Sequence, residues 1–290
     1  MEPELKRRIT TASFLIGGVA LFLLAAALTE VGRFALMALG FATTVVCAFE
    51  FARICAADPA AKIKAVVYFV CAALPALGQF LFYTLEGSGE PPLEGHKSAA
   101  LLLLLFFGSG LVGLAFMVSS AKQELALAGE SAREFWCGIF LVGLGGGALT
   151  AICAGDQGFR AMLWLLLVVC SNDSAAYFAG SKYGRTKLAP AISPNKTVVG
   201  TLSGLLAGVL IGVLTSALLP ARLSWEAALM LSVAIVLAAQ LGDLSKSYLK
   251  RLHGVKDSGD WLPGHGGLLD RADAVLMAAP LLYSWLLWQG

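Results

Sequence analysis

Long apolar runs separated by short charged segments set the pattern of this chain. A helix needs about 20 apolar residues to cross the hydrocarbon core of a bilayer. By that measure the pattern predicts nine spans: Thr11–Leu28, Phe34–Phe49, Ala65–Leu85, Ala99–Val118, Phe135–Cys153, Ala161–Phe178, Thr197–Leu219, Ala227–Leu241 and Ala274–Trp288. The expected fold is all-α, a polytopic transmembrane helical bundle. Residues 1–160 would form N-terminal transmembrane helices, and 161–290 a C-terminal transmembrane catalytic region with polar loops. The first run follows Lys6-Arg7-Arg8 and ends in Ala25-Ala26-Ala27, as a cleaved signal would. It is long enough to span and more spans follow at once, which favours an uncleaved first helix.

Composition agrees with this pattern. Of 290 residues, 58% are hydrophobic and 14% charged, too little polarity to cover a water-facing surface. Six cysteines, Cys47, Cys55, Cys71, Cys137, Cys153 and Cys170, are scattered through apolar stretches with no CxxC pair, and are expected to be reduced small hydrophobes. The net charge of +2 gives no reason to expect nucleic acid as a partner.

The distribution of charge is more informative. With the N-terminus in the cytoplasm, the inner segments hold Lys6, Arg7, Arg8; Arg53, Lys62, Lys64; Lys122, Arg133; Lys182, Arg185, Lys187, Lys196; and Lys246, Lys250, Arg251, Lys256, Arg271. The opposite side holds only Arg33, Lys97, Arg160 and Arg222. Basic residues concentrate on cytoplasmic loops of membrane proteins, so this bias predicts a cytoplasmic N-terminus. It also puts the two most basic loops on the side where nucleoside triphosphates are found.

The densest polar stretch runs from Gly242 to Asp273 and interleaves Asp243, Asp257, Asp260, Asp270 and Asp273 with the last five of those cations. If the eighth helix continues past Asp243, then Asp243, Ser247, Lys250, Arg251 and Gly254 fall on one face. Carboxylates beside cations suit phosphate chemistry, because Mg²⁺ binds through one or two carboxylates plus substrate phosphates while Lys and Arg neutralise the remaining charge. Gly264, Gly266 and Gly267 around His265 would let backbone approach a ligand. A plain juxtamembrane loop binding anionic headgroups would explain the cations but leave the aspartates unexplained.

A second polar stretch runs from Ser171 to Gly200. Asp173 lies at or near a span end, where a carboxylate at full depth would cost about 2.5–3.5 kcal/mol; it is either functional or already in water. Ser193-Pro194 reads as the N-cap and first residue of a helix whose amides, with Lys196, would make a phosphate site. Glu50, near the end of the second span, is expected to snorkel or to pair with Arg53. Gln79 and Gln240 are expected to serve helix packing. Gly200, Gly204, Gly208 and Gly212, four residues apart, predict a smooth stripe for close packing without chemistry.

On these residues the sequence resembles the phosphatidate cytidylyltransferases, or CDP-diacylglycerol synthases. The resemblance is carried by Ser247-Tyr248-Leu249-Lys250-Arg251, Lys256-Asp257, His265-Gly266-Gly267, Asp270-Arg271 and Asp273 at intact spacing. Asp173, Ala176-Tyr177, Gly180, Gly184, Lys187-Leu188, Pro190, Ser193-Pro194 and Lys196-Thr197 add to it. Lys6 to Ala12 and Glu50 to Arg53 agree more weakly.

The resemblance implies transfer of the cytidylyl group of CTP to phosphatidic acid, with Mg²⁺ and a second cation such as K⁺ as an added option. It implies Asp243 and Asp270 as metal ligands. Lys196, Lys250, Arg251, Lys256 and Arg271 would contact phosphates, and Asp257, His265 and Asp273 would shape the site. Ser193, Thr197, Ser247, Gly266, Gly267 and Asp173 would line the substrates. The implied setting is the inner cell membrane with the site facing the cytoplasm, and a homodimer is an open expectation. Val199 and Lys246 stand where the family usually has glutamate, and Ala272 replaces a larger aliphatic residue. Lys246 would pair with Asp243 and compete with a metal, or supply the charge of a second ion, or point to solvent. A CTP-dependent lipid kinase of the polyprenol or phytol type, a transporter-like chain and a non-catalytic paralogue are the alternatives.

Overall fold

A computed structural model describes residues 17–55, 62–86, 91–121, 125–220, 223–259 and 266–289. The elements in chain order are α1 (Gly17–Leu28), α2 (Glu30–Cys55), α3 (Lys62–Glu86), α4 (Pro91–Ala121), α5 (Leu125–Gly138), α6 (Gly145–Ala154), α7 (Gly158–Tyr183), β1 (Lys187–Ala189), β2 (Ser193–Thr197), α8 (Val198–Leu214), α9 (Trp225–Leu252) and α10 (Leu269–Gln289). A π-helical segment, Ile139–Leu144, joins α5 to α6 without a break, so Gly129–Ala154 runs as one apolar rod. The chain is an all-α protein, and among the described residues six helices are long and apolar enough to cross a membrane. They are α2, α3, His96–Phe116 of α4, Gly129–Ala154, α7 and α9; α1 and α8 are shorter apolar helices.

The α5–α6 rod is the most enclosed of the six, and Gly145, Gly146 and Gly147 explain why. A Cβ on any of them would collide with a different neighbour: the Leu276 backbone of α10, Thr44 of α2, or Leu102 of α4. The rod is therefore the axis around which the other helices pack, and small residues are what allow their close approach.

The predicted glycine stripe on α8 is present and faces α7 and α9. A Cβ at Gly200 would lie 2.7 Å from the Ala176 carbonyl oxygen, at Gly204 2.7 Å from Asn172 Oδ1, and at Gly208 2.6 Å from Val236. Leu202, Leu206, Leu210 and Leu214 are exposed on the same helix. Trp164 Nε1 donates to the Gly212 carbonyl (2.9 Å), closing the far end of the α7–α8 pair.

Two local expectations change. Ser193-Pro194 does not open a helix. Residues 187–197 fold back as an antiparallel hairpin with Lys187 opposite Thr197 and Ala189 opposite Ser193. Proline is tolerated there because a two-stranded ribbon leaves outward amides without a ladder partner. The cap is instead Thr197, whose hydroxyl accepts from Gly200 N–H (3.1 Å), so α8 starts at Val198. The second change is at the far end of α9. The helix does continue past Asp243, but it stops at Leu252, and Gly254 adopts φ +65° as a left-handed turn beyond it.

Candidate active site

Four elements bring the polar residues together: α7, the β1–β2 hairpin, α9 and the N-terminus of α10. α9 contributes Asp243, Lys246, Ser247, Lys250 and Arg251 over its last three turns. Lys250 and Arg251 lie in the final turn, where cations complement the helix dipole.

Lys246 is at the centre. It is only 6% exposed, so it does not point to solvent. Its ammonium lies 3.0 Å from Asp243 Oδ1 and 2.7 Å from Asp273 Oδ2, and donates to the Asp270 carbonyl oxygen at 3.3 Å. Asp270 Oδ1 is a further 3.7 Å away. The helical spacing of Asp243 and Lys246 makes the first of these contacts, and the tight α9–α10 crossing makes the others. Gly242 permits that crossing, since a Cβ there would sit 2.6 Å from the Asp273 carbonyl oxygen.

Two more lysines complete the charge pattern. Lys196, at the end of the hairpin, pairs with Asp243 Oδ2 at 2.7 Å. Lys250 pairs with Asp270 Oδ1 at 2.6 Å. Arg251 donates to the Ile192 carbonyl oxygen (3.3 Å), holding the hairpin against α9. The Asp173–Lys196 segment thus meets the C-terminal cluster, as the sequence suggested. Asp173 lies inside α7, is exposed, and accepts from Asn172 Nδ2 (2.9 Å). Asn172 in turn accepts from Gln240 Nε2 (2.8 Å), which also donates to the Thr201 carbonyl (3.0 Å), so Gln240 does serve helix packing.

Asp270 is fixed by its surroundings. Its Oδ2 accepts from the Ser258 amide (2.8 Å), from the Ser258 hydroxyl (2.9 Å) and from Gly267 N–H (3.4 Å). It stands in the first turn of α10, ahead of the apolar run that begins at Ala274. Burial raises its carboxyl pKa, but the hydrogen bonds from Lys250 and Ser258 and the charge of Lys246 outweigh this and hold it below the ordinary range. Gly266, at φ +78°, makes the turn that brings this loop back over the aspartate, and Asp257 lies beside it.

Glu50 overturns its expectation. It neither snorkels nor pairs with Arg53; it is 0% exposed and receives the start of α10. Leu268 N–H donates to Oε1 (2.9 Å) and Leu269 N–H to Oε2 (2.8 Å). The Ser258 hydroxyl proton is shared between Glu50 Oε2 (3.0 Å) and Asp270. A carboxylate from α2 therefore caps a helix more than 200 residues later, in place of a local N-cap. Gly267 is needed beneath it, because a Cβ there would collide with Ser258 Oγ and Glu50 Oε2. The sequence signal was an acidic residue within an apolar helix, which marks function or structure by default. Ser258 and Asn172 had no such signal.

Of the remaining predicted residues, Lys256 and Arg271 are exposed beside the cluster, Ser247 and Ser193 are half-buried, and Thr197 is buried with its hydroxyl spent on the α8 cap. The first-turn amide of Gly200 is thereby occupied, which removes the helix-start phosphate site envisaged there, and Lys196 precedes that helix. His265, Asp260 and Lys6 to Ala12 lie outside the described residues.

The sequence profile of the cytidylyltransferase family matches residues 6–288. The chain belongs to this family. It is 40% identical over 186 residues to a phosphatidate cytidylyltransferase of Brucella suis biovar 1 (strain 1330), covering 63% of this chain and 68% of that protein. Similarity extends to phosphatidate cytidylyltransferases of Helicobacter pylori (strain ATCC 700392 / 26695), 45% over 140 residues, 46% of this chain and 51% of that one, and of Bacillus subtilis (strain 168), 40% over 129 residues, 44% and 48%. For a cytidylyltransferase the oxygen-only donor set of Asp243, Asp270 and Asp273 fits a hard divalent cation such as Mg²⁺. Asp273 is 4% exposed and its Oδ2 meets Lys246 without hydrogen-bond geometry, which leaves a buried acceptor incompletely satisfied.

Proposed function

We propose that this protein transfers the cytidylyl group of CTP to phosphatidic acid, giving CDP-diacylglycerol and pyrophosphate for phospholipid synthesis. The observation that carries this reading is the meeting of Asp243, Asp270 and Asp273 with Lys196, Lys246 and Lys250 at one place in a cytidylyltransferase chain. The name shared by the relatives selects phosphatidic acid as the acceptor and disfavours the lipid-kinase alternative.

In this reading a phosphate oxygen of phosphatidic acid attacks the α-phosphorus of CTP. The bond to the β-phosphate breaks, and pyrophosphate leaves with the electron pair. The attacking phosphate is already ionised, so no strong general base is required. Asp243 and Asp270 would hold Mg²⁺, which when bound offsets the charge of two polyanions and stabilises the in-line transfer. Lys196, Lys250, Arg251, Lys256 and Arg271 contact the phosphates. Asp257, His265 and Asp273 shape the site, while Asp173, Ser193, Ser247, Gly266 and Gly267 bound the substrate space. The chain crosses the inner membrane nine times with its N-terminus in the cytoplasm, so the site faces the cytoplasmic CTP pool. The basic-residue bias supports that orientation.

The test is incubation of purified protein with radiolabelled CTP, phosphatidic acid and Mg²⁺, with and without EDTA. Labelled CDP-diacylglycerol and pyrophosphate are expected, and EDTA should abolish both. CDP with a phosphorylated lipid would mark a kinase instead, and no nucleotide-lipid product would sink the reading.

A further inference from the structure

We propose that Lys246 is a resident cation standing where a second metal ion would bridge Asp243, Asp270 and Asp273, so that the site takes a single divalent cation. The inference rests on the reading above that a divalent cation works with CTP here.

The geometry begins with the ammonium itself. Three oxygens surround it: it donates to the Asp270 carbonyl oxygen, and Asp243 Oδ1 and Asp273 Oδ2 lie at ion-pair distance. Those oxygens come from two helices and converge on one point, as ligands converge on an ion. A metal placed at that point would have to displace a buried ammonium held by α9 itself. A metal placed beside it would face a cation at contact distance in a region sheltered from water, where like charges are poorly screened.

Charge balance leads to the same number. The three aspartates are matched by Lys196, Lys246 and Lys250, so these six groups are neutral as a set, and buried Glu50 is met by the Leu268 and Leu269 amides and the Ser258 hydroxyl. Asp173 adds one exposed carboxylate, and among the described residues no lysine or arginine lies within ion-pair distance of it. One divalent cation accompanied by substrate phosphates is compatible with that balance. A second would add two charges beside the Lys246 ammonium, where the three aspartates are already matched. Lys246 cannot be exchanged with solvent cations, which also makes the site independent of K⁺.

The experiment uses full-length protein in detergent, titrated with Mn²⁺ while free Mn²⁺ is followed by electron paramagnetic resonance. Sites that disappear in Asp243→Asn are counted as those of the cluster. The wild type is expected to show one such ion, and Lys246→Glu two, with the Lys246→Met variant as a second route should the glutamate fail to fold. A wild-type count of two or of none overturns the proposal, as does a folded Lys246 variant of either kind that stays at one. The wild-type rate should be the same in potassium chloride and in N-methylglucamine chloride, and dependence on K⁺ would overturn it too. The product assay on the same preparation separates the two claims. CDP-diacylglycerol with two bound ions defeats only the resident-cation proposal, whereas absence of product defeats the functional reading whatever the count.

Discussion

α9 carries two buried charge clusters, and they are built to opposite ends. The first surrounds Glu134 of α5, which is 5% exposed. Lys64 of α3 lies 2.5 Å from its Oε2, and His253, just past the end of α9, lies 3.2 Å from its Oε1. The Tyr68 hydroxyl, which donates to the Ser131 carbonyl oxygen, closes the side. Ligand atoms of Cys55, Glu134 and His253 come within 4.8 Å of one another, a set that could suit a metal, but Lys64 already supplies the positive charge. This cluster is a brace that ties α3, α5 and α9. The second cluster, around Lys246, gathers three aspartates and three lysines and is open on one side, where the side chain of Asp243 is 38% exposed and Asp173 and Lys256 lie exposed. A buried charge cluster therefore does not by itself identify a site. What identifies it is a carboxylate that is held by the protein on one side and left facing solvent on the other.

Four substitutions test that contrast. The largest effect is expected from Glu134→Gln, which leaves the Lys64 ammonium without its counter-charge. It should cost about 4 kcal/mol of stability, read by thermal unfolding in detergent, while the rate per folded molecule changes little. Asp243→Asn should do the reverse. Its rate should fall by about two orders of magnitude, near 3 kcal/mol of transition-state stabilisation, with the unfolding midpoint nearly unchanged. A large loss of stability in Asp243→Asn would erase the distinction between brace and site. Glu50→Gln falls between them: an amide group cannot accept from two backbone N–H groups and a hydroxyl as a carboxylate does. A loss of about 2 kcal/mol in stability, accompanied by a lowered rate because Asp270 shifts, is the expected outcome. Thr197→Val removes only the α8 cap and should cost about 1 kcal/mol, with KM for CTP unaltered. A raised KM there would assign Thr197 to the substrate after all.

Much of this contrast was legible in the sequence, and the exceptions have a common cause. Apolar runs located the helices because lipid demands them, and the four-residue glycine spacing located the α8 contact face because helix geometry is regular. The Asp243-to-Asp273 stretch showed through its composition and its spacing that carboxylates and cations would gather there. The errors arose where a residue's partner lies far away in the chain. Glu50 was matched to the nearest cation, Arg53, although its partners are the amides of Leu268 and Leu269. Ser193-Pro194 satisfied the local rule for a helix start, but pairing with Lys187–Ala189 competed successfully for the same backbone. Local rules were reliable for helix type and face; they were silent on which distant group satisfies a buried charge.

The Glu50 contact has a consequence for how the protein is made. Helix α2 leaves the ribosome long before α10 does. Until α10 arrives, Glu50 is a carboxylate in an apolar helix lacking the two amides that stabilise it. The nascent protein thus carries an exposed polar mark in α2 that is erased only when α10 docks. Chains that stop short of Leu268 keep that unsatisfied carboxylate. Docking of α10 and assembly of the charge cluster become one event, because the turn that presents these amides to Glu50 also carries Asp270 to Ser258 and Lys250.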